Sequence, residues 1–357
     1  MSVNRNPKVL FILKRRQDYN PQNHSNMGMS TGLYNSASFM NDMLNDAGIS
    51  SSISVVIDNN CINREVTKHK PTHVIIEALW VVPSKFSVLT DLHPKVKWII
   101  RLHSEIPFLG NEGMAMDWIG DYSSFKNVII AANSPVAERD IKAYISTRNL
   151  CSKKDIAHKV IYLPNFYPQE YKDKKFDKNK DFIDISCFGA IRPLKNHVVQ
   201  ALAAVKFAES IGKKLRFHIN AGRVEQKGGP ILHNLEGMFL QLSDAGHVLI
   251  NHEWAPRPEF IKTCRKMDIG MQVSFSETFN IVGADMVSQG VPLVASHELP
   301  WANSIFNGKP TDINTIFRAL WLTYLFPWIN MYTNQSNLKR YTDKTRNIWI
   351  SYLECKK

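Results

Sequence analysis

Residues Ser274–Val294 read SFSETFNIVGADMVSQGVPLV, and the rest of the chain is organised around them. This stretch predicts the end of a strand, a turn, a short helix, a tight turn and the next buried strand. Glu277 comes at the carboxyl end of the first strand, where open α/β sheets place ligand-binding groups. The predicted helix begins just after Glu277. Asp285 follows eight positions later, about two helical turns on, so both carboxylates can lie on one helix face.

Strand-like and helix-like segments alternate on both sides of this stretch. Apolar runs of strand length are found at 8–13, 53–57, 73–80, 96–100, 127–132, 160–163, 183–188, 215–219, 248–250, 269–273 and 292–296. Helical patterns separate most of these runs. This alternation is typical of a parallel, doubly wound α/β sheet.

A charged segment with few apolar residues, 169–180, divides the chain and is typical of a solvated linker. Because 357 residues are too many for one ordinary core, we predict two Rossmann-like domains, 1–168 and 183–335, joined by a linker at 169–182. A C-terminal helix within 336–357 is predicted to pack back on the first domain. The strand carboxyl ends of both sheets are expected to face one cleft.

The composition indicates a folded, soluble protein of a reducing compartment. Hydrophobic residues make up 44% of the chain and charged residues 21%, which excludes a disordered protein. The five cysteines show no Cys-x-x-Cys spacing, so we expect reduced thiols and no zinc site. The N-terminus shows no secretory pattern, and the most apolar run, Ala319–Ile329, is too short to span a bilayer. These features predict a cytoplasmic protein.

The formal net charge of +12 indicates an anionic partner. Nucleic acid, an anionic membrane surface and an anionic small ligand all fit this charge, and charge alone does not choose among them. Lys14, Arg15 and Arg16 follow the first strand at its carboxyl end. They form either an acceptor-phosphate site beside the cleft or a solvated charge cluster.

A second candidate for anion binding is the loop Gly189–Asn196, which reads GAIRPLKN. It follows a strand and precedes a helix, and its two cations, Arg192 and Lys195, suit a diphosphate. The predicted helix after Glu277 is a further candidate, because the backbone N–H groups of its N-terminus could bind an anion. These N–H groups belong to Thr278, Phe279, Asn280 and Ile281. The structural alternatives are a basic surface loop and, for the two acids of the opening stretch, ordinary helix acids.

Three further features have both a functional and a structural interpretation. His103 falls at the carboxyl end of a predicted strand, where a histidine is either functional or part of the core. Gly32 lies in the first predicted strand-to-helix loop and would allow a ligand close to the backbone, although any turn can need a glycine. The run Ala319–Trp328 is either a membrane-docking face or a packed core segment.

Residues 276–296, SETFNIVGADMVSQGVPLVAS, resemble the Glu-x7-Glu region of the group 1 retaining glycosyltransferases. These are two-domain enzymes of the GT-B fold that use nucleotide-sugar donors. The resemblance extends over most of the chain. Gly189–Asn196 resembles the family's donor loop, and Leu163–Asn165 resembles the end of its first domain. Ala132–Ser134 resembles the residues after its last N-domain strand, and Leu44–Val56 resembles an early segment.

The resemblance implies roles for the candidate residues. Glu277 and His103 would be the catalytic residues and contact the donor sugar near the reacting centre. Lys195, helped by Arg192, would bind the diphosphate, and Gly32 would touch donor phosphate and acceptor. The first domain would bind the acceptor and the second the nucleotide sugar.

Three positions depart from the family's pattern. Asp285 stands in place of the second glutamate, which holds the nucleotide ribose and is one methylene longer. Arg192 follows Gly189 by three residues instead of one, and Asn196 replaces the glycine that usually follows the lysine.

The family implies transfer of a hexosyl or pentosyl group to an acceptor hydroxyl. Because cations are already present to stabilise the diphosphate, we expect transfer without a metal, and we expect no cofactor and no obligate protein partner. The positive charge, the basic cluster after the first strand and the lack of a targeting signal favour DNA with hydroxymethylated bases, which some bacteriophage enzymes glycosylate. The protein would then work in the host cytoplasm. The rival acceptor is a lipid-linked or cell-envelope glycan at a membrane.

Two alternatives of another class remain open, because a fold does not fix a reaction. One is a sugar-nucleotide epimerase with two similar domains. The other is a non-catalytic nucleic-acid-binding protein on the same scaffold.

Overall fold

The structure, a computed structural model, describes residues 6–15, 31–149, 152–225 and 227–354. The chain divides into two compact units, one formed by Met1–Pro168 with Thr342–Lys357 and the other by Gln169–Tyr341. Each unit is built on a parallel β-sheet with helices in the connections. The predicted fold class, two doubly wound α/β sheets, is confirmed.

Strands and helices alternate along the first unit. Its elements are β1 (Lys8–Lys14), α1 (Thr31–Asp46), β2 (Ser50–Val56), α2 (Ile62–His69), β3 (His73–Glu77), α3 (Lys85–Leu92), β4 (Lys97–Leu102), α4 (Ile106–Leu109), α5 (Ala115–Ser124), β5 (Val128–Ala132), α6 (Pro135–Thr147), α7 (Lys153–Lys159) and β6 (Val160–Tyr162). The strand order is β2-β1-β3-β4-β5-β6, and all pairs are parallel. The order reverses between β1 and β3, which is therefore the topological switch point of this sheet.

Both faces of the first sheet are buried, because successive side chains of its apolar strands point to opposite faces. In β1, Leu10 and Ile12 belong to one hydrophobic cluster, whereas Val9 and Phe11 belong to another. All four side chains are completely buried. This explains why the first strand is a continuous apolar run instead of an alternating one.

The second unit repeats this architecture with fewer strands. Its elements are β7 (Phe182–Ser186), α8 (His197–Ser210), β8 (Lys214–Ile219), α9 (Gly229–Gln241), β9 (Val248–Asn251), α10 (Arg257–Lys266), β10 (Ile269–Gln272), α11 (Ile281–Ser288), β11 (Leu293–Ala295), α12 (Ile313–Leu325) and α13 (Pro327–Leu353). The strand order is β11-β10-β7-β8-β9, again parallel throughout. The switch point of this sheet lies between β7 and β10.

The C-terminal helix is longer than the sequence analysis predicts. The sequence predicts helices from Ile313 onward, the last of them within 336–357, and α13 runs unbroken from Pro327 to Leu353. Proline is tolerated in the first turn of a helix, and no glycine or further proline interrupts the following residues. The last turns of α13 belong to the first unit, where the completely buried Trp349 packs 6.2 Å from the ring of Phe11.

The apolar run Ala319–Trp328 is divided between core and surface. Ala319 and Leu320 are buried in the core of the second unit, whereas Phe326 is 44% exposed and Trp328 is 66% exposed. Within the described part of the chain, no helix has the length and apolar content needed to cross a membrane.

Gly290, in the turn between α11 and β11, lies where the fold of the second unit leaves no room for a side chain. Its φ is +74°, and a Cβ atom there would lie 2.4 Å from the carbonyl oxygen of Lys172. We expect Gly290→Ala to lower the free energy of unfolding by about 3 kcal/mol, because both the backbone conformation and the space exclude a side chain. Urea unfolding measures this change.

The matched control is Gly237→Ala in α9, where a Cβ atom would meet nothing within 4 Å. This variant should be about 1 kcal/mol more stable than the parent, because alanine favours a helix interior. Equal unfolding midpoints for the two variants would contradict the prediction.

Candidate functional site

Two loops meet at the switch point of the second sheet. Residues 187–196 follow β7, and residues 273–280 follow the neighbouring strand β10. Because parallel strands end at the same edge of a sheet, both loops lie where open α/β sheets bind ligands. Lys195 comes from the first loop and Glu277 from the second.

Lys195 and Glu277 form a buried ion pair. The Lys195 Nζ donates to Glu277 Oε1, and each residue is only 9% exposed. Charges withdrawn from water in this way are tolerated in proteins only when they are directly paired. The structure thus brings together the two residues that the sequence analysis assigns to the diphosphate and the sugar.

Hydrogen bonds hold the two loops against each other. The Phe275 N–H donates to the Leu194 carbonyl at 2.9 Å. The side-chain amide of Asn196 donates to the carbonyl oxygens of Val273 at 3.1 Å and Pro310 at 2.8 Å. Asn196 has a φ of +59°, a left-handed conformation that asparagine tolerates better than most residues. Asparagine can therefore replace the glycine of the resembled family at this position.

Glu277 lies outside the helix that carries Asp285. Helix α11 begins at Ile281, and its N-cap is Asn280, whose side chain accepts a hydrogen bond from the Gly283 N–H at 2.8 Å. The N-cap fixes the helix start at Ile281, four residues after Glu277. The prediction that both carboxylates lie on one helix face is therefore wrong.

The same N-cap changes the predicted group of anion-binding N–H donors. Of the four residues predicted, only Ile281 lies in the helix, whereas Thr278 and Phe279 precede it and are 5% and 2% exposed. The Phe279 carbonyl accepts a hydrogen bond from the Trp301 indole at 2.7 Å. Thr278 and Phe279 are thus buried residues of the loop before the helix and do not belong to its first turn.

Asp285 is buried in α11 and paired with an arginine. The Nη2 of Arg257, the first residue of α10, donates to Asp285 Oδ1 at 2.9 Å. Asp285 is 3% exposed, whereas the side chain of Arg257 is 30% exposed. The position that resembles the family's second glutamate therefore holds a carboxylate bound to a partly exposed guanidinium group.

Arg192 is joined to the loop that follows β8. Its Nη1 lies 3.8 Å from Glu225 Oε2, and Arg223 of the same loop also pairs with Glu225. The guanidinium group of Arg223 lies over the ring of Trp254, 5.0 Å from its centroid. The loops after three strands are thus linked by side chains along this edge.

His103, in the first unit, follows β4 and contacts the end of β3. Its Nε2 forms a hydrogen bond with Glu77 Oε2. Arg101 Nη1 donates to the two oxygens of Glu77 at 3.0 and 3.2 Å. Glu77 is 2% exposed and Arg101 is completely buried. The candidate histidine is therefore one member of a buried three-residue network.

Burial and charge act in opposite directions on this network. Burial raises the pKa of Glu77, but the charges of Arg101 and His103 outweigh burial and hold that pKa below its usual value. Burial lowers the pKa of His103 by more than the neighbouring Glu77 raises it. Near neutral pH the network therefore contains a carboxylate, a guanidinium group and a neutral imidazole.

The remaining candidates of the first unit lie near its switch point. The sequence predicts a loop at Gly32, but Gly32 is the second residue of α1. A Cβ atom at this position would meet nothing within 4 Å. Lys14 ends β1, and Arg15 follows it; both are exposed. Arg16 lies outside the described residues.

Sequence reasoning missed several partners of the candidate residues. Glu77 ends β3 and Arg101 is the next-to-last residue of β4, each directly after a run of apolar residues. A charge at such a position was a detectable signal, because buried charges are rare. Arg257 and Glu225 gave no signal, because each lies in a polar segment far along the chain from its partner.

Among the described residues, no three His, Cys, Asp or Glu side chains gather where they could hold a metal ion. Cys61, Cys187 and Cys264 are free thiols. Metal-independent transfer stays a prediction.

The two units together define the GT-B fold, as the sequence analysis predicts. The α,α-trehalose-phosphate synthase (UDP-forming) of Burkholderia vietnamiensis is similar over 97% of both chains, with a TM-score of 0.68 and 12% identity. The N-terminal domain of Candida albicans trehalose-6-phosphate phosphatase is similar over 97% of this chain and 96% of its own, with a TM-score of 0.70 and 10% identity.

The Anabaena protein Alr3699/HepE in complex with UDP is similar over 97% of this chain and 98% of its own, with a TM-score of 0.61 and 12% identity. No protein-family model matches the chain, and no curated protein matches it either. At these identities the similarity establishes the fold.

The buried pair of Lys195 and Glu277 is testable by a double-mutant cycle. We expect Lys195→Met and Glu277→Gln each to lower the free energy of unfolding by about 3 kcal/mol, because each leaves a buried group without its partner. The double variant should lose less than the sum, with a coupling energy of about 2 kcal/mol. Urea unfolding of all four proteins gives the cycle.

The control is Arg139→Gln, which breaks a surface pair between Arg139 and Asp140 with side chains 72% and 35% exposed. Its effect on the free energy of unfolding should be small beside those of the two site variants, because solvent screens an exposed pair. Strict additivity of the Lys195 and Glu277 variants would contradict a direct pair.

Proposed function

We propose that the chain is a glycosyltransferase that moves a sugar, with retention of configuration, from a nucleoside diphosphate to an acceptor hydroxyl. The observation that carries the proposal is the Lys195–Glu277 pair at the switch point of a GT-B fold. One similar structure is named a UDP-forming synthase and another is a complex with UDP, which supports a nucleotide-sugar donor. We propose no cofactor and no metal.

Lys195 and Arg192 would stabilise the leaving diphosphate. Sugar transfer leaves negative charge on this group, and cations already in place lower the barrier because they need no reorganisation. The ammonium group of Lys195 has three N–H donors, so it can bind a diphosphate oxygen while it keeps its bond to Glu277. The N-terminus of α11, at Ile281, adds a partial positive charge at the same edge.

Glu277 would contact the donor sugar. Its carboxylate is held by Lys195, and is thus beside the proposed diphosphate site, where it can accept hydrogen bonds from sugar hydroxyls. Asp285 would accept hydrogen bonds from the ribose, and its bond to Arg257 fixes the shorter side chain. These contacts orient the reacting groups, which is a large part of catalysis in a two-substrate transfer.

In the first unit, His103 would orient the transferred sugar. Gly32 lies in the first turn of α1, where backbone N–H groups have no acceptor within the helix. Such an N–H group suits a phosphate oxygen. The role assigned to Gly32 by the family resemblance is therefore compatible with its place in the helix instead of a loop.

For the acceptor, we propose DNA that contains hydroxymethylated bases, as in some bacteriophages. The net charge of +12 supports a polyanion. Lys14 and Arg15 are exposed at the carboxyl end of β1, beside the switch point of the first sheet, where they can bind backbone phosphates. A target base would have to leave the duplex to react.

An exposed apolar surface favours a second candidate acceptor, a lipid-linked or cell-envelope glycan. Four large side chains near the turn between α12 and α13 are exposed, namely Leu325 (47%), Phe326 (44%), Trp328 (66%) and Tyr332 (69%). Aromatic and aliphatic groups of this kind bind at membrane interfaces, and anionic lipids attract a positively charged protein.

Mass spectrometry of nucleosides distinguishes these acceptors. The protein is incubated with a panel of nucleotide sugars and with hydroxymethylated or unmodified duplex DNA, and the DNA is then digested. We expect the mass of one sugar residue to be added to the modified nucleoside alone, with DNA binding that weakens steeply with salt. No mass shift with any donor would exclude this DNA acceptor.

The same reactions separate the other functions. Sugar transfer to a lipid-linked glycan, without any DNA product, would support the second acceptor. Conversion or hydrolysis of the nucleotide sugar without an acceptor would support an epimerase instead.

Site variants test the assignment of the donor residues. Lys195→Met and Glu277→Gln should each lower kcat by about 100- to 1000-fold, because each removes charge stabilisation at the reacting centre. Lys262→Met and Glu236→Gln are matched controls, since both side chains are exposed on α10 and α9. If the site variants transfer sugar as fast as the controls, this pair is not the donor site.

A further inference from the structure

The first unit contains a buried acid that no step above uses. Glu77 ends β3 and lies opposite Arg101 of β4 in the strand register. Its carboxylate accepts hydrogen bonds from Arg101 on one side and contacts His103 on the other. We propose that Glu77 is a positioning residue that holds His103 as a neutral imidazole with its proton on Nε2 and a hydrogen-bond acceptor at Nδ1.

The position of Glu77 is fixed by Arg101, which is itself anchored at the end of the first unit's sheet. Arg101 Nη2 donates to the Pro164 carbonyl at 3.3 Å and to the side-chain oxygen of Asn165. Its guanidinium group lies 5.4 Å from the ring centroid of Trp349. These partners hold the guanidinium group in one orientation. The hydrogen bonds from Arg101 then fix the position of the Glu77 carboxylate.

The location of the proton follows from the partners of the two ring nitrogens. An ionised carboxylate only accepts hydrogen bonds, so the Nε2 that faces Glu77 must carry a proton. The amide nitrogen of Asn133 lies 3.5 Å from Nδ1, so a donor faces the other nitrogen. The tautomer of a histidine is set by such partners.

The charge balance keeps the imidazole neutral. Glu77 and Arg101 already neutralise each other inside the unit. A proton on both nitrogens of His103 would leave a net positive charge in a region where the side chain of His103 is only 13% exposed, and this is costly. The lowered pKa of His103, caused first by burial, agrees with this balance.

The consequence for the reaction is specific. An imidazole held in this state can accept one hydrogen bond at Nδ1 and donates none there. The 3.5 Å contact with Asn133 is long for a hydrogen bond, so a hydroxyl group of the transferred sugar can take its place at Nδ1. This step rests on the proposed function, whereas the tautomer of His103 does not. Glu77 would act only through His103 and would not touch the substrate.

Glu77→Gln provides a sharp test, because the amide has one acceptor and one donor end. Arg101 requires the amide oxygen, which leaves the NH₂ group facing His103 Nε2. That nitrogen must then accept, so the proton should move to Nδ1. We expect the kcat of sugar transfer to fall about 10- to 100-fold, with little change in the KM of the donor, because His103 Nδ1 no longer accepts a hydrogen bond from the sugar hydroxyl.

Long-range ¹H–¹⁵N spectra of the histidine rings read out the tautomer in the full-length protein. The His103 signals are assigned by their loss in His103→Gln. In the parent protein near pH 7 we expect a protonated Nε2 and a lone-pair Nδ1, and in Glu77→Gln the reverse. The control is Glu65→Gln on α2, whose carboxylate lies 3.9 Å from His69 Nε2; it should change neither the His103 signals nor transfer.

Two results would overturn the proposal. One is a parent spectrum with the proton on Nδ1, or on both nitrogens, and this measurement does not depend on how well the variant folds. The other is an unchanged His103 tautomer in a folded Glu77→Gln protein. A correct tautomer in a protein that transfers no sugar would reject the proposed function and leave the positioning role intact.

Discussion

A parallel β-sheet that is buried on both faces constrains everything else in this chain. Its connections must cross a face, usually as helices, and all strands therefore end at the same edge. Both units obey this rule, and in each the strand order reverses beside the first strand. The apolar faces exclude water, so polar groups concentrate in the loops at the strand ends, where two loops separate and leave room for a ligand.

The candidate site differs from other buried charged residues in its position, because it lies in the loops at the carboxyl edge of the second sheet. Asp184, within β7, is 5% exposed and pairs with Arg216 and His218 of β8. Burial raises its pKa, but its bonds to these two residues prevail and lower the pKa to about 2. This cluster lies along a sheet face, whereas Lys195 and Glu277 come from the loops beyond the strands. Burial of a charge alone therefore does not indicate function.

Two asparagines shape the loops at the second switch point. Asn196 is the N-cap of α8 and Asn280 is the N-cap of α11, with φ values of +59° and +61°. Each turns the chain sharply from its loop into a helix. Lys195 directly precedes the first asparagine, and Glu277 comes three residues before the second. The two charged residues are thus placed by backbone turns that need a left-handed residue, and hydrogen bonds between the loops complete the arrangement.

The fold class could be predicted from the sequence, because apolar strands and helical segments alternate strongly enough to specify two parallel sheets. The sequence also placed Lys195 and Glu277 at strand ends of one sheet. Which charges meet could not be predicted from the sequence, because Lys195 and Glu277 are 82 residues apart and Arg101 and Glu77 are 24 apart. The tertiary structure also showed that Arg257 binds Asp285 and that Asn280 keeps Glu277 off the helix. Local pattern cannot supply such pairs, because strand order decides which loops become neighbours.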